Sequence, residues 1–173
     1  MLGLGGLLYF DYHVDSLQGL AEEEKTLIKV YPSHAYMARE DAKKAGQLTD
    51  QYWGRNATNA DVTRANAFKH AVWNALMVRD IGMQYAELFA YAHEAPHLYN
   101  MNEYRPQMTN AVTTIHEGTI MDLQNNERGR MIGSHIPWFS SDNDVALAIL
   151  QDMEINPDAY YVIEFGTYSQ PLK

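Results

Sequence analysis

The sequence predicts a mainly α, single-domain helical bundle with irregular loops, and three observations carry that expectation. Apolar and polar residues recur at a 3.6-residue period over several long stretches. Pro and Gly gather between those stretches, where helices stop. Only the tail, Ala159-Tyr-Tyr-Val-Ile-Glu-Phe165, alternates with the aromatic character of a short C-terminal strand or extended segment. With 173 residues, 46% of them hydrophobic, one sizeable core suffices and no second domain is needed. No internal repeat or low-complexity tract is present.

Residues 1–15 read as an apolar N-terminal segment ahead of a single α-helical domain over 16–173. The run Met1 to Phe10 is too short to span a bilayer and lacks both a basic flank and a small-residue cleavage pattern. It reads first as a packed segment, next as the end of a longer chain cut at a domain boundary, and last as a strip touching a membrane or partner. A helix is expected from Leu17 to Val30, stopped by Pro32, and a second from the N-cap Ser33 to Trp53. After a loop over Gly54 to Ala60, a helix spans Asp61 to Asp80 with Gly82 as its stop. The apolar run Tyr85 to Ala92 makes the next helix, with His93-Glu94 in its last turn or just past it, because Ala95-Pro96 follows. Residues 95–109, holding Pro96 and Pro106, read as irregular. A helix from Thr114 to Ile132, a loop with Pro137, and a helix from Asp144 to Ile155 complete the series.

Three strings hold the side chains with chemical capacity. In Asn66-Ala-Phe-Lys-His70-Ala-Val-Trp73-Asn74, the residues Asn66, His70 and Asn74 fall at i, i+4 and i+8 and form one polar stripe between apolar flanks. A solvated face ordinarily carries Lys and Glu, whereas uncharged amides and an imidazole look like buried groups needing partners. The second string is His93-Glu94, with His97 close behind. In the third, Asp122, Asn125, Asn126, Gly129 and Gly133 share one face of a helix that also carries Arg128 and Arg130, and the glycines leave room for another backbone.

Together the patterns Asn-Ala-Phe-Lys-His70-Ala-Val-Trp73-Asn74, Ala-His93-Glu94 and Met121-Asp122-Leu-Gln-Asn125-Asn126-x-x-Gly129-Arg130 are similar to those of a largely uncharacterised bacterial domain family. That family recurs in secreted proteins and in the C-terminal regions of polymorphic-toxin-type proteins. The resemblance covers Glu24 to Ser134 and takes in Tyr31-Pro32-Ser33. It implies an exported or delivered effector rather than a resident cytoplasmic protein, and it names no reaction. Lys69 stands where an Arg before the His is more usual, which weakens any bidentate anion contact there.

Composition narrows the chemistry. The chain has no Cys, so thiolate catalysis and disulfides are excluded, and any metal must be held by His, carboxylate or amide groups. A formal charge of −9 disfavours broad nucleic-acid binding, although a patch drawn from Arg64, Lys69, Arg79, Arg128 and Arg130 leaves a phosphate contact open. There is no Gly-x-Ser-x-Gly elbow and no dinucleotide or phosphate-loop fingerprint.

Two enzyme readings remain. In one, His70, His93 and Asp122 bind a divalent metal ion, with Glu94 as base or further ligand and His116 or His97 in reserve. Its order of residues resembles the HD-type metal-dependent phosphohydrolases, with Glu94 where that family has Asp. In the other, His70 is a general base oriented by Asp122 or Glu94. Substrate contacts are then expected from Asn66, Trp73, Asn74, Asn125, Asn126 and Arg130, and the substrate is a small molecule, a lipid or a glycan. The competing class is a noncatalytic binding domain, engaging a partner protein, whose polar cluster fixes helix register.

Overall fold

A computed structural model of the chain describes residues 20–60, 63–103, 110–163 and 171, and shows a mainly α bundle. Its helices are α1 (Glu22–Val30), α2 (Pro32–Trp53), α3 (Arg64–Ile81), α4 (Met83–Glu103), α5 (Asn110–Gly133) and α6 (Asp142–Ile155). Short 3-10 turns lie at Ala57–Asn59 and Pro157–Ala159. The expected N-terminal segment lies outside the described residues. Among the described residues no helix is long and apolar enough to cross a membrane.

The central element is α3, which packs against α2, α4, α5 and α6. It is buried on nearly every side: Ala67, Phe68, Ala71, Val72, Ala75, Leu76 and Met77 are inaccessible, and Asn66, His70 and Asn74 are buried with them. A helix enclosed this way needs no charged face, which explains its run of Ala, amides and large apolar residues. Phe68, Val72 and Leu76 enter the main core with Trp53, Met121, Val145, Ile149 and Met153, while Met77 joins Ala35, Ala38, Ala86 and Phe89 in a second cluster.

Helix starts follow local chemistry. Thr63 caps α3 by accepting the Asn66 N–H at 3.2 Å, and Ser141 with Asp144 forms a reciprocal capping box at α6. Ser33 is not a cap: α2 begins one residue earlier, with Pro32 in the first turn, where its missing N–H and fixed φ cost nothing. A larger departure concerns α4, which continues through Pro96 to Glu103, so His93-Glu94 lies inside a helix and not at its end. The backbone hydrogen bond lost at Pro96 costs about 3 kcal/mol. Burial of Ala86, Phe89, Ala90, Ala92 and Ala95 along the same helix offsets that cost. No strand forms in the described part of the tail, where Pro157–Ala159 is a 3-10 turn. Tyr161 lacks a partner strand, and the Asn125 carboxamide takes that place, donating to Tyr161 O at 2.9 Å and accepting Tyr161 N–H at 3.2 Å.

The tightest helix contact is between α3 and α5. A Cβ added at Gly129 would lie 2.2 Å from Ala71 O, and one at Gly133 would lie 2.8 Å from Ala75 Cα. Both pairs step by four residues in the same direction, so the two helices run parallel here with backbones nearly touching. Away from that seam, a polar cluster ties α2, α3 and α6 together. Arg79 donates to Asp80, to Asp142 and to Ser140 O, and Lys44 contacts Asp41 at 3.0 Å and Asp80 at 3.5 Å. Burial, aided by Asp80 and opposed by Lys44, raises the Asp41 carboxyl to about 7.

Gly129→Ala is expected to lower stability by about 2 kcal/mol or more, because over-packing against an immovable backbone exceeds the roughly 1 kcal/mol gained in helix propensity. Gly46→Ala, whose nearest obstacle is the Thr58 hydroxyl at 3.0 Å, should be far milder in the same thermal melts. A pH dependence also follows from Asp41. A carboxyl raised on folding binds its proton more tightly in the folded chain, so its contribution is complete below about 3.9 and is lost as pH rises through about 7. Measured against Asp41→Asn, in which every other titrating group is retained, the melting temperature of the native chain should therefore fall as pH rises from 5 to 8.

Candidate functional site

Parallel packing of α3 and α5 sets two polar stripes side by side: Asn66, His70 and Asn74 on α3, and Asp122, Asn126 and Arg130 on α5. They engage as rungs. Arg130 Nη1 donates to Asn74 Oδ1 at 2.8 Å, Asn74 Nδ2 donates to Asn126 Oδ1 at 2.6 Å, and His70 Nδ1 lies 3.1 Å from the same oxygen. Asp122 Oδ1 is 3.3 Å from His70 Nε2. From the other side α4 brings Glu94 Oε1 to 4.0 Å from His70 Nδ1. His70, Asn74, Glu94, Asn126 and Arg130 are all buried, and Asp122 is partly exposed.

The protonation of His70 follows from the far end of this chain. A guanidinium only donates, so Asn74 must turn its oxygen to Arg130 and its NH2 to Asn126. Asn126 must then present its oxygen, and the His70 nitrogen facing it must carry the hydrogen. Burial pushes the imidazole down to about 3, the positive charges of Lys69 and His93 acting in the same sense and the Asn126 bond opposing. His70 is thus neutral, with Nδ1–H donated to Asn126 and the Nε2 lone pair directed to the Asp122 side.

A neutral imidazole and two carboxylates therefore converge, one ligand atom from each of His70, Glu94 and Asp122 lying within 4.8 Å of the others. Two carboxyl groups gathered around one imidazole in a largely buried place form a donor set of the kind that holds a divalent cation. One edge of the cluster has the spacing of a cation's ligands: groups held at about 2.0–2.1 Å with tetrahedral angles are about 3.3 Å apart, the separation of His70 Nε2 and Asp122 Oδ1, while Glu94 Oε1 lies farther off, 4.0 Å from His70 Nδ1. The Nδ1–H to Asn126 bond is the outer contact that orients a metal-ligating His.

The remaining sequence candidates take other places. His93 is not in this cluster. It turns to α1, with Nδ1 3.1 Å from Glu24 Oε1 and its ring edge-on to Trp73 at 5.4 Å, and the Glu24 bond raises its basicity against burial. Trp73 donates to Ala38 O at 3.0 Å. Asn66 is buried in the first turn of α3, and Asn125 is engaged by Tyr161. Of the cationic groups that leave a phosphate contact open, Arg79 is held by Asp80 and Asp142, and Arg128 pairs with Asp152 through both its Nε and Nη2. The side chains of His97 and His116 lie outside the described set. Sequence reasoning missed a cavity of about 320 Å³ beside His70, lined also by Glu24, Lys69, Trp73, Phe89 and His93. Against α3 and α4, the facing walls come from α1 and α2, where the available signal was the small-residue stripe Ala35, Ala38, Ala42, Ala45.

The chain belongs to the DUF6973 family, described as a domain of unknown function, whose model matches residues 25–156. No curated protein and no solved structure matches it.

Replacing Arg130 with Met should remove the group that orients Asn74 and leave a buried carbonyl oxygen unpaired, at a cost of about 1–3 kcal/mol in stability. Nitrogen-15 NMR of the His70 ring should show a single neutral tautomer protonated at Nδ1 in the native chain, and a mixture of tautomers in Arg130→Met.

Proposed function

We propose that this protein is a hydrolase whose centre, His70, Glu94 and Asp122, holds a divalent cation at the crossing of α3, α4 and α5. The observation that carries the reading is the Nε2 lone pair of His70, fixed by the Asn126 contact and facing Asp122 at 3.3 Å with Glu94 in the same cluster. One imidazole and two carboxylates suit Zn2+ or Mn2+ better than a soft metal. Held by those three residues, such a cation would supply an activated water near neutral pH and polarise a substrate carbonyl or phosphoryl oxygen.

The chain's own residues set the conditions for that chemistry. Glu94, buried on α4, places its carboxyl group where little bulk water reaches it, and Asp122 is the more exposed of the two. Asn126 and Asn74 touch no solvent and act as positioning residues, holding the imidazole. The same buried chain of Arg130, Asn74 and Asn126 supports a second reading, in which the network fixes the α3–α5 register in a binding domain. Delivery as a toxin-type effector is compatible with either.

Calorimetric titration with Zn2+ and Mn2+ should show one site per chain. Glu94→Gln and Asp122→Asn should weaken that site by more than about a hundredfold, a larger effect than outer contacts usually have. In a broad screen of ester, phosphoester and amide substrates, His70→Ala should lose the metal-stimulated activity while keeping the helical circular dichroism. Unchanged metal affinity in all three variants, with only their melting temperatures lowered, would favour the register-fixing reading instead.

A further inference from the structure

The cavity beside His70 is large for what surrounds it. It is a cleft open to solvent at its rim, with a volume of about 320 Å³, near the lower end of the roughly 300–1,000 Å³ typical of small-molecule sites. It exists because α2 presents Ala35, Ala38 and Ala42 where larger side chains would fill the space. Ile28, Trp73 and Phe89 complete an apolar wall. A sugar would find few partners for its hydroxyls against such a wall, whereas a hydrocarbon chain needs none.

Charge at the cavity edge selects the other end of the ligand. In a chain of formal charge −9, both Lys69 and Arg39 line this cavity. The opposing carboxylate, Glu24, is already engaged by the Ala21 N–H at 2.8 Å and by His93 at 3.1 Å. Lys69 is half-buried and its ammonium reaches Thr58 O at 3.1 Å, which leaves two of its three donors for a ligand. His70 is common to the cavity and to the His70–Glu94–Asp122 cluster, so a chain lying along the wall brings its polar end to the centre.

We propose that this cavity binds the hydrocarbon chain of an anionic amphiphile, a carboxylate or phosphate bearing an acyl or alkyl chain, with Lys69 and Arg39 contacting the head. The inference rests on the hydrolase reading for its catalytic meaning: it assigns that centre the ester-linked lipids from which such anions derive.

The test is calorimetric binding of laurate, dodecyl phosphate, dodecanol and inorganic phosphate to the full chain below micelle-forming concentrations. Laurate or dodecyl phosphate should bind at least about tenfold more tightly than dodecanol and than inorganic phosphate, a difference of about 1.4 kcal/mol. The tighter of the two anions identifies the head as carboxylate or phosphate. Ala42→Trp adds bulk from a solvent-exposed position of α2 and should weaken both anions at least about tenfold, with circular dichroism unchanged. Lys69→Gln should weaken the anions and leave dodecanol unaffected. Equal binding of dodecanol and the anions overturns the head-group assignment, and absence of binding, or binding insensitive to Ala42→Trp, overturns the cavity assignment. Glu94→Gln separates the two readings: loss of Zn2+ with retained laurate binding supports the amphiphile site whatever the fate of the hydrolase reading. Zn2+ binding without any amphiphile binding leaves the metal centre standing and removes this proposal.

Discussion

The orientation of Asn74, Asn126 and His70 in the buried centre depends on Arg130 being unable to accept a hydrogen bond. Its guanidinium is almost fully buried, with one arm on Asn74 Oδ1 and its charge centre 6.0 Å from the Tyr91 ring centroid. Asn74, Asn126 and His70 are then each left one arrangement, passed from residue to residue at 2.6–3.1 Å. In water such a chain would be worth little. In a dry interior each link strengthens its neighbour, and a wrong amide orientation would leave donors facing donors.

That chain spans two helices only because their backbones come together at Ala71–Gly129 and Ala75–Gly133. Short amides and an imidazole cannot bridge two helices at an ordinary separation of 8–10 Å as compactly as they do here. The Gly-lined approach thus converts two i, i+4 stripes into one ladder. The Ala stripe on α2 acts in the opposite sense, since small residues facing large ones leave a cavity when no backbone moves in to fill it. Close approach on one side of α3 and open space on the other meet at His70.

Much of this was legible in the sequence because helical periodicity is a local property. Asn66, His70 and Asn74 were visible as one stripe, and Gly129 as a site of close approach. The choice between His93 and Glu94 was not legible. Adjacent residues on a helix point about 100° apart, and Pro96 suggested a helix end where neither direction would be fixed. Because α4 continues through Pro96, Glu94 faces inward to His70 while His93 turns to Glu24 on α1. The tail shows the converse limit: the alternation over Ala159 to Phe165 is present, but a strand needs a neighbour, and among the described residues Tyr161 pairs with the Asn125 side chain. Glu24, Arg39 and the α2 wall of the cavity carried no motif, since their role depends on packing between segments distant in the chain.

The central claim is that the lone pair of a neutral His70 and the carboxylates of Glu94 and Asp122 form a cation site. Anomalous diffraction from crystals equilibrated with Zn2+ tests it most directly. The account predicts a single strong peak at a bonding distance of about 2.0–2.2 Å from His70 Nε2 and from oxygens of Asp122 and Glu94. A peak confined to His93 and Glu24, or no peak at His70 at saturating Zn2+, would contradict it.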